Sequence, residues 1–164
     1  MVRFQAEHRF HAPIAALTTL LADPDFYLGL TLPDLSEPEV LEEGHDGDET
    51  LLRLRYQYVG SLDPIAQRLL GSSRLSWIQE VRVGRSDGSG TLGFQAEKDP
   101  KRLHGSARFV LTEAAGNTVR RIDGDLVVAV PGIGRMAERR IVPGLLRRLD
   151  IEAQALNERL GHQE

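Results

Sequence analysis

Apolar and polar residues alternate without a break from Val2 to Phe10. Phe4, Ala6, His8 and Phe10 fall on one side and Arg3, Gln5, Glu7 and Arg9 on the other, the period-two pattern of a half-buried strand. Pro13 then suits the first turn of a helix, where its missing N–H is not needed. Leu17, Leu20 and Leu21 give that helix its apolar face, Asp23-Pro24 ends it, and Asp25 to Leu30 can form a further short turn of helix. Most of the remaining chain reads as strands: Glu39–Glu43, Glu49–Val59, Leu75–Val83, Thr91–Glu97, Leu103–Thr112 and Val119–Val130. Turns fall at His45–Asp48, Ser86–Gly90 and Ala115–Asn117. One short helical stretch interrupts the strands after Asp63-Pro64, with Ile65, Ala66, Leu69 and Leu70 on one side.

From Gly132 to Glu164 the period changes. Val142, Leu145, Leu146, Leu149, Ala153, Leu156 and Leu160 recur at steps of three and four, which places them on one face of a long amphipathic helix. Short turns between successive strands imply an antiparallel meander. The fold class is therefore α+β: a curved antiparallel sheet of about seven strands wrapped around a C-terminal helix, with one or two short helices after the first strand. A ligand can be accommodated between sheet and helix. Pro143-Gly144 lies inside the helix. Pro143 withholds a hydrogen bond from the Arg139 carbonyl, a disruption of roughly 3 kcal/mol, so a kink or break is predicted between Arg139 and Pro143.

Composition narrows the function classes. At 164 residues the chain has the length of one domain, expected to span 1–164. With no cysteine, it has no thiol catalysis, disulfide or cysteine metal site. Its net charge of −4 argues against general nucleic-acid binding. The N-terminus has charges every few residues and no signal-peptide core, and no run of eighteen apolar residues occurs. Cytoplasmic residence and no stable membrane insertion are the expectations. The sequence implies no oligomeric state.

Several motifs invite a sharper reading. Gly132-Ile133-Gly134-Arg135-Met136-Ala137 matches a dinucleotide-binding glycine pattern. No second parallel strand follows it, so the glycines are assigned to a tight strand-to-helix turn. His8 and His11 are three apart on a strand and point to opposite faces, so they cannot share a metal ion; no metal or cofactor is expected. His8 reads as a core or rim histidine. Tyr56, Tyr58, Trp77 and Gln79 fall on inward positions of two strands. Apolar bodies with polar tips suit either a ligand pocket or a core whose tips reach backbone or water. Glu138 shares the helix face of Val142 and Leu145; if buried, its carboxyl would have a raised pKa suited to acid–base chemistry, and equally it can snorkel at the helix's open end or pair with Arg135 or Arg139. Arg135, Arg139, Arg140, Arg147 and Arg148 are read as a solvated basic face.

The order of elements resembles the START-like, or SRPBCC, helix-grip superfamily, which includes the birch-pollen-allergen fold and polyketide cyclase-like proteins. The residues carrying the resemblance are Glu7–Pro13, Ala22–Tyr27, Leu75–Glu80 and the exit from Leu126 to Gly134. The pattern is most similar to a bacterial branch of domains of unknown function. The resemblance implies a cavity for an apolar small molecule, lipid- or polyketide-like. The leading expectation is non-enzymatic binding of such a ligand. It would lie between Leu52, Leu54, Tyr56, Tyr58, Trp77, Gln79, Phe94, Phe109 and Leu126 on the sheet and Glu138, Val142, Leu145 and Leu149 on the helix. That requires a cavity of roughly 300 Å³ or more. The alternatives are a cyclase- or hydrolase-type enzyme using polar groups in the same cavity, and an interaction module whose core is filled.

Overall fold

A computed structural model describes residues 1–61, 64, 67, 75–84 and 87–161. The helical stretch expected around Ile65, Ala66, Leu69 and Leu70 lies outside the described residues. Strand β1 (Val2–Phe10) leads through Pro13 into α1 (Ile14–Leu21) and α2 (Pro24–Leu28). The chain continues through β2 (Glu39–Asp46), β3 (Glu49–Gln57), β4 (Ser76–Gly84), β5 (Gly90–Ala96), β6 (Leu103–Ala114) and β7 (Asn117–Val128). It closes with α3 (Gly134–Gly161). Asp23 both separates the first two helices and caps the second, its carboxylate accepting the Asp25 N–H at 2.9 Å.

The seven strands form one antiparallel sheet in the order β1-β7-β6-β5-β4-β3-β2. Strands β2 to β7 are a meander, because each is joined to the next by a connection that lets neighbours pair. The β1–β7 pairing, with Phe4 opposite Gly124 and His8 opposite Arg120, joins the first strand to the last. This arrangement, a curved sheet gripping a C-terminal helix, is the helix-grip fold.

Alternation fixes which side chains face the helix. Phe4 and Phe10 on β1, Leu52, Leu54 and Tyr56 on β3, Phe109 and Leu111 on β6, and Ile122 and Leu126 on β7 are all buried. Leu17, Leu20 and Leu21 of α1 close one end of the same core. The outer face is charged. Arg53 and Arg82 both bind Glu80, and Arg3 pairs with Asp123 at 3.2 Å; such exposed pairs contribute little each.

Helix α3 is continuous through Pro143, so of the expected kink or break the break does not occur, and Pro143 is carried inside the helix. The strand-to-helix turn is as expected: Gly132 has φ 83°, and a Cβ on Gly134 would lie 2.4 Å from the Val128 carbonyl oxygen.

Candidate functional site

The grip is uneven. α3 packs mainly on β1, β7 and α1, and its second half, through Leu149, Ala153, Leu156 and Leu160, is sealed. Its first half faces β4 and β5 less tightly. There Val142 and Leu145 on the helix, and Trp77, Leu92 and Phe94 on the sheet, are only half-buried although they occupy inward positions.

Between these two halves lies a cavity of ≈ 20 Å³. Gln79, Phe94, Leu145 and Leu149 line it as the sequence suggested, joined by Phe4, Leu92, Ala107, Arg148 and Glu152. A volume of that size is room for about one water, whereas organic ligands occupy sites of about 300 Å³ or more. Among the described residues, side chains occupy most of the space around Gln79, Phe94, Leu145 and Leu149. One of them is the ring of Phe94, which lies over Gly105, where any Cβ would come within 2.2 Å of the ring.

The other nominated residues divide into two groups. Leu52, Leu54, Tyr56, Phe109 and Leu126 are in the sealed core. Tyr58 lies past the end of β3, bridged to Leu35, with its hydroxyl donating to the Ser61 carbonyl at 3.1 Å. Trp77 stacks on Tyr56 with ring centroids 5.8 Å apart, at the rim next to Arg148. Val142 stands on the half-buried part of α3.

Glu138 is buried, but it is not a poised acid. Burial works to raise its pKa, yet the Val128 N–H at 3.0 Å and the Met1 amino group at 2.9 Å outweigh burial and lower it. Its carboxylate is engaged and its pKa is lowered, so of the two readings open from the sequence the raised pKa is not the one found, and its partners are the Met1 amino group and the Val128 N–H.

Two polar features were not read from the sequence. The first is a chain of four residues, three of them buried and the fourth, Asp150, exposed. Arg120 is 1% exposed and its Nη1 donates to Glu152 Oε1 at 2.9 Å; its Nη2 is 3.1 Å from His8 Nδ1. Arginine can only donate, so His8 Nδ1 accepts. His8 Nε2 then carries the proton and donates to Asp150 Oδ1 at 2.9 Å. Burial first, and then the Arg120 charge, lower the His8 pKa against the pull of Asp150. Both ring nitrogens are committed, so His8 serves as a neutral bridge between sheet and helix. Arg120 also lies over the Phe10 ring, 5.4 Å from its centroid.

The second feature is Arg148. The expectation that it belongs to a solvated basic face is corrected: Arg135, Arg139, Arg140 and Arg147 are exposed, but Arg148 turns inward to the cavity. Its guanidinium covers the Tyr56 ring at 4.5 Å and approaches the Trp77 ring at 5.9 Å, and it donates to the Gln79 side-chain oxygen. For the first feature the sequence holds only a phase signal, which without the partner reads as surface charge. Arg120 falls in phase with Ile122 and Leu126 on β7, and Glu152 stands three after Leu149 and four before Leu156.

Among the described residues no group of three His, Asp or Glu could hold a metal ion, and no helix is long and apolar enough to cross a membrane.

Three solved structures illustrate the likeness in fold. A Thermus thermophilus protein superimposes with a TM-score of 0.66 at 15% identity, covering 99% of this chain and 100% of the other. The Zhui aromatase/cyclase from a Streptomyces species gives 0.66 at 16% identity, covering 96% and 92%. A START superfamily protein from Mycobacterium smegmatis gives 0.62 at 16%, covering 99% of both. At such identities the likeness is one of fold. No curated protein matches the chain in sequence. Residues 5–160 match the family described as protein of unknown function DUF2505, and the chain belongs to that family.

Proposed function

We propose that this protein binds an apolar small molecule between β4–β5 and the first half of α3, without transforming it. The observation that carries this reading is the uneven seal. Trp77, Leu92 and Phe94 on the sheet and Val142 and Leu145 on the helix occupy core positions yet remain half-buried, while Leu156 and Leu126, deeper in the same interface, are at 0% exposure. A protein with no occupant for that space gains by closing it, since each buried Å² of apolar surface contributes about 25 cal/mol.

The cavity is smaller than an organic molecule, so binding requires the first half of α3 and the Arg148 side chain to move away from β4 and β5. Entry of a ligand would then favour an open arrangement over the closed one. The helix-grip relatives, among them an aromatase/cyclase and a START superfamily protein, support the reading by analogy of fold.

Native mass spectrometry of protein purified without detergent or organic solvent tests it. The expected result is a population heavier than the 18.2 kDa chain by one small-molecule mass, released by organic extraction. Protein that carries no such mass, and that takes up no apolar probe when titrated while Trp77 emission is followed, would overturn the proposal.

A further inference from the structure

The charges around the cavity do not balance. Arg120 and Glu152 cancel each other across 2.9 Å. Asp150 is held by His8 at the protein surface. Arg148 lines the same cavity, and no carboxylate among the described residues pairs with it. Its partners are the neutral side-chain oxygen of Gln79 and the faces of Tyr56 and Trp77. Arg148 is half-buried, and a guanidinium partly withdrawn from water against apolar walls is favoured by a nearby anion, because desolvating a charge without a counter-charge is unfavourable.

A second observation stands beside it. The Tyr56 hydroxyl is buried, the residue being 1% exposed; the Arg148 guanidinium is near enough to pull its pKa down against burial, but no group among the described residues meets it at full hydrogen-bond geometry. Such a hydroxyl ordinarily finds a partner. Tyr56 is the residue whose ring Arg148 covers. Among the described residues, an unmatched cation that lines the cavity therefore adjoins an unmatched hydroxyl donor, while Phe4, Leu92, Phe94 and Ala107 give the cavity apolar walls.

We infer that the ligand is an amphipathic anion: an apolar body carrying one carboxylate-like acidic group, which Arg148 holds by charge-assisted hydrogen bonds. This rests on the binding reading above and names the ligand class for the same site. The anion exchanges places with the Gln79 side-chain oxygen on the guanidinium. Arg148 thereby turns from the group that fills the cavity into the group that anchors its occupant. The planar guanidinium offers paired donors to a carboxylate, and the Tyr56 hydroxyl supplies a further donor where the acid group reaches it. Glu152 does not compete for Arg148, since it is committed to Arg120, and its charge disfavours an acid group placed deeper in the cavity. The acid group is therefore held at Arg148 and the apolar body lies against the cavity's apolar walls.

The test compares sodium dodecanoate with dodecan-1-ol at neutral pH, below the concentrations at which either aggregates. Binding to the full chain is followed by calorimetry and by emission of Trp77, the only tryptophan. The carboxylate is expected to bind about tenfold or more tightly than the alcohol. Arg148→Met should erase that preference, bringing dodecanoate to the level of dodecanol, and Arg148→Lys should retain part of it. Circular dichroism verifies that each variant folds, and the wild-type comparison stands even if a variant does not. Equal affinity of wild type for the two probes overturns the acidic-ligand inference and leaves the binding reading standing. Binding of neither overturns the binding reading and this inference together.

Discussion

The Arg120 guanidinium on β7 and the Glu152 carboxylate on α3 meet at 2.9 Å, with side chains only 2% and 6% exposed. They tie the strand that closes the sheet to the helix that the sheet grips. Removing one partner leaves the other charge buried and unmatched. Glu152→Ala is therefore expected to destabilise the fold by about 3–5 kcal/mol, whereas the double replacement Arg120→Met with Glu152→Leu loses far less. Urea unfolding of the two variants checks this. A single variant no weaker than the double one would sink it.

His8 gives stability a pH dependence near neutrality. Its pKa in the folded protein is below the ordinary 6.5, through burial and then the Arg120 charge. As pH falls below 6.5, the unfolded chain takes up a proton that the folded protein refuses, so stability falls toward the lowered pKa of His8. The contribution is fully present above 6.5. His8→Gln should flatten the slope between about pH 7.5 and about pH 5.5 in urea midpoints. Glu80 and Glu138, whose pKa values are also lowered, act in a separate window: their stabilisation is lost only as pH falls below 4.5.

Gly105 and Phe94 form a matched pair across β6 and β5. Gly105→Ala should displace the Phe94 ring from the cavity and destabilise by about 1–3 kcal/mol. In a Phe94→Leu background the same substitution should be distinctly milder, since the ring it strikes is gone. A double-mutant cycle by thermal unfolding measures the coupling; independent effects would contradict the pairing.

Pro143 lies within a continuous helix and offers no N–H to the Arg139 carbonyl. Pro143→Ala should raise stability by about 1–3 kcal/mol. It should also weaken binding of an apolar probe if an adaptable first half of α3 is what admits the ligand. Thermal midpoints and probe titrations on the same preparation report both effects. A lower midpoint would mean that the proline fits the native helix better than alanine does.

Much of the fold was legible because it depends on local periodicity. The even positions of Val2–Phe10, the odd positions of Leu103–Leu111 and the three-and-four spacing from Leu145 to Leu160 each assign a face without reference to any other segment. Strand ends were less legible. β3 stops at Gln57, leaving Tyr58 outside the sheet, because that boundary depends on how far Ser76 and its neighbours extend on the adjacent strand. Of the candidate site, Gln79, Phe94, Leu145 and Leu149 were identifiable as inward-facing residues.

Arg120, Glu152 and Arg148 were not so identifiable, for a physical reason. A charged residue in an apolar phase is read as a surface residue unless its partner is known, and Arg120 and Glu152 are 32 positions apart. Arg148 is next to Arg147 in sequence, and only the packing of α3 against β4 decides that one turns inward while the other faces solvent. The amino-acid sequence by itself determined the period of each element, the inward faces and the order that makes a helix-grip fold. The tertiary structure decided which charges are buried together, how tightly the helix closes on each half of the sheet, and that among the described residues a cation at the cavity has no counter-charge. Burial and ion pairing are relations between distant segments, and they come into existence only when the chain closes on itself.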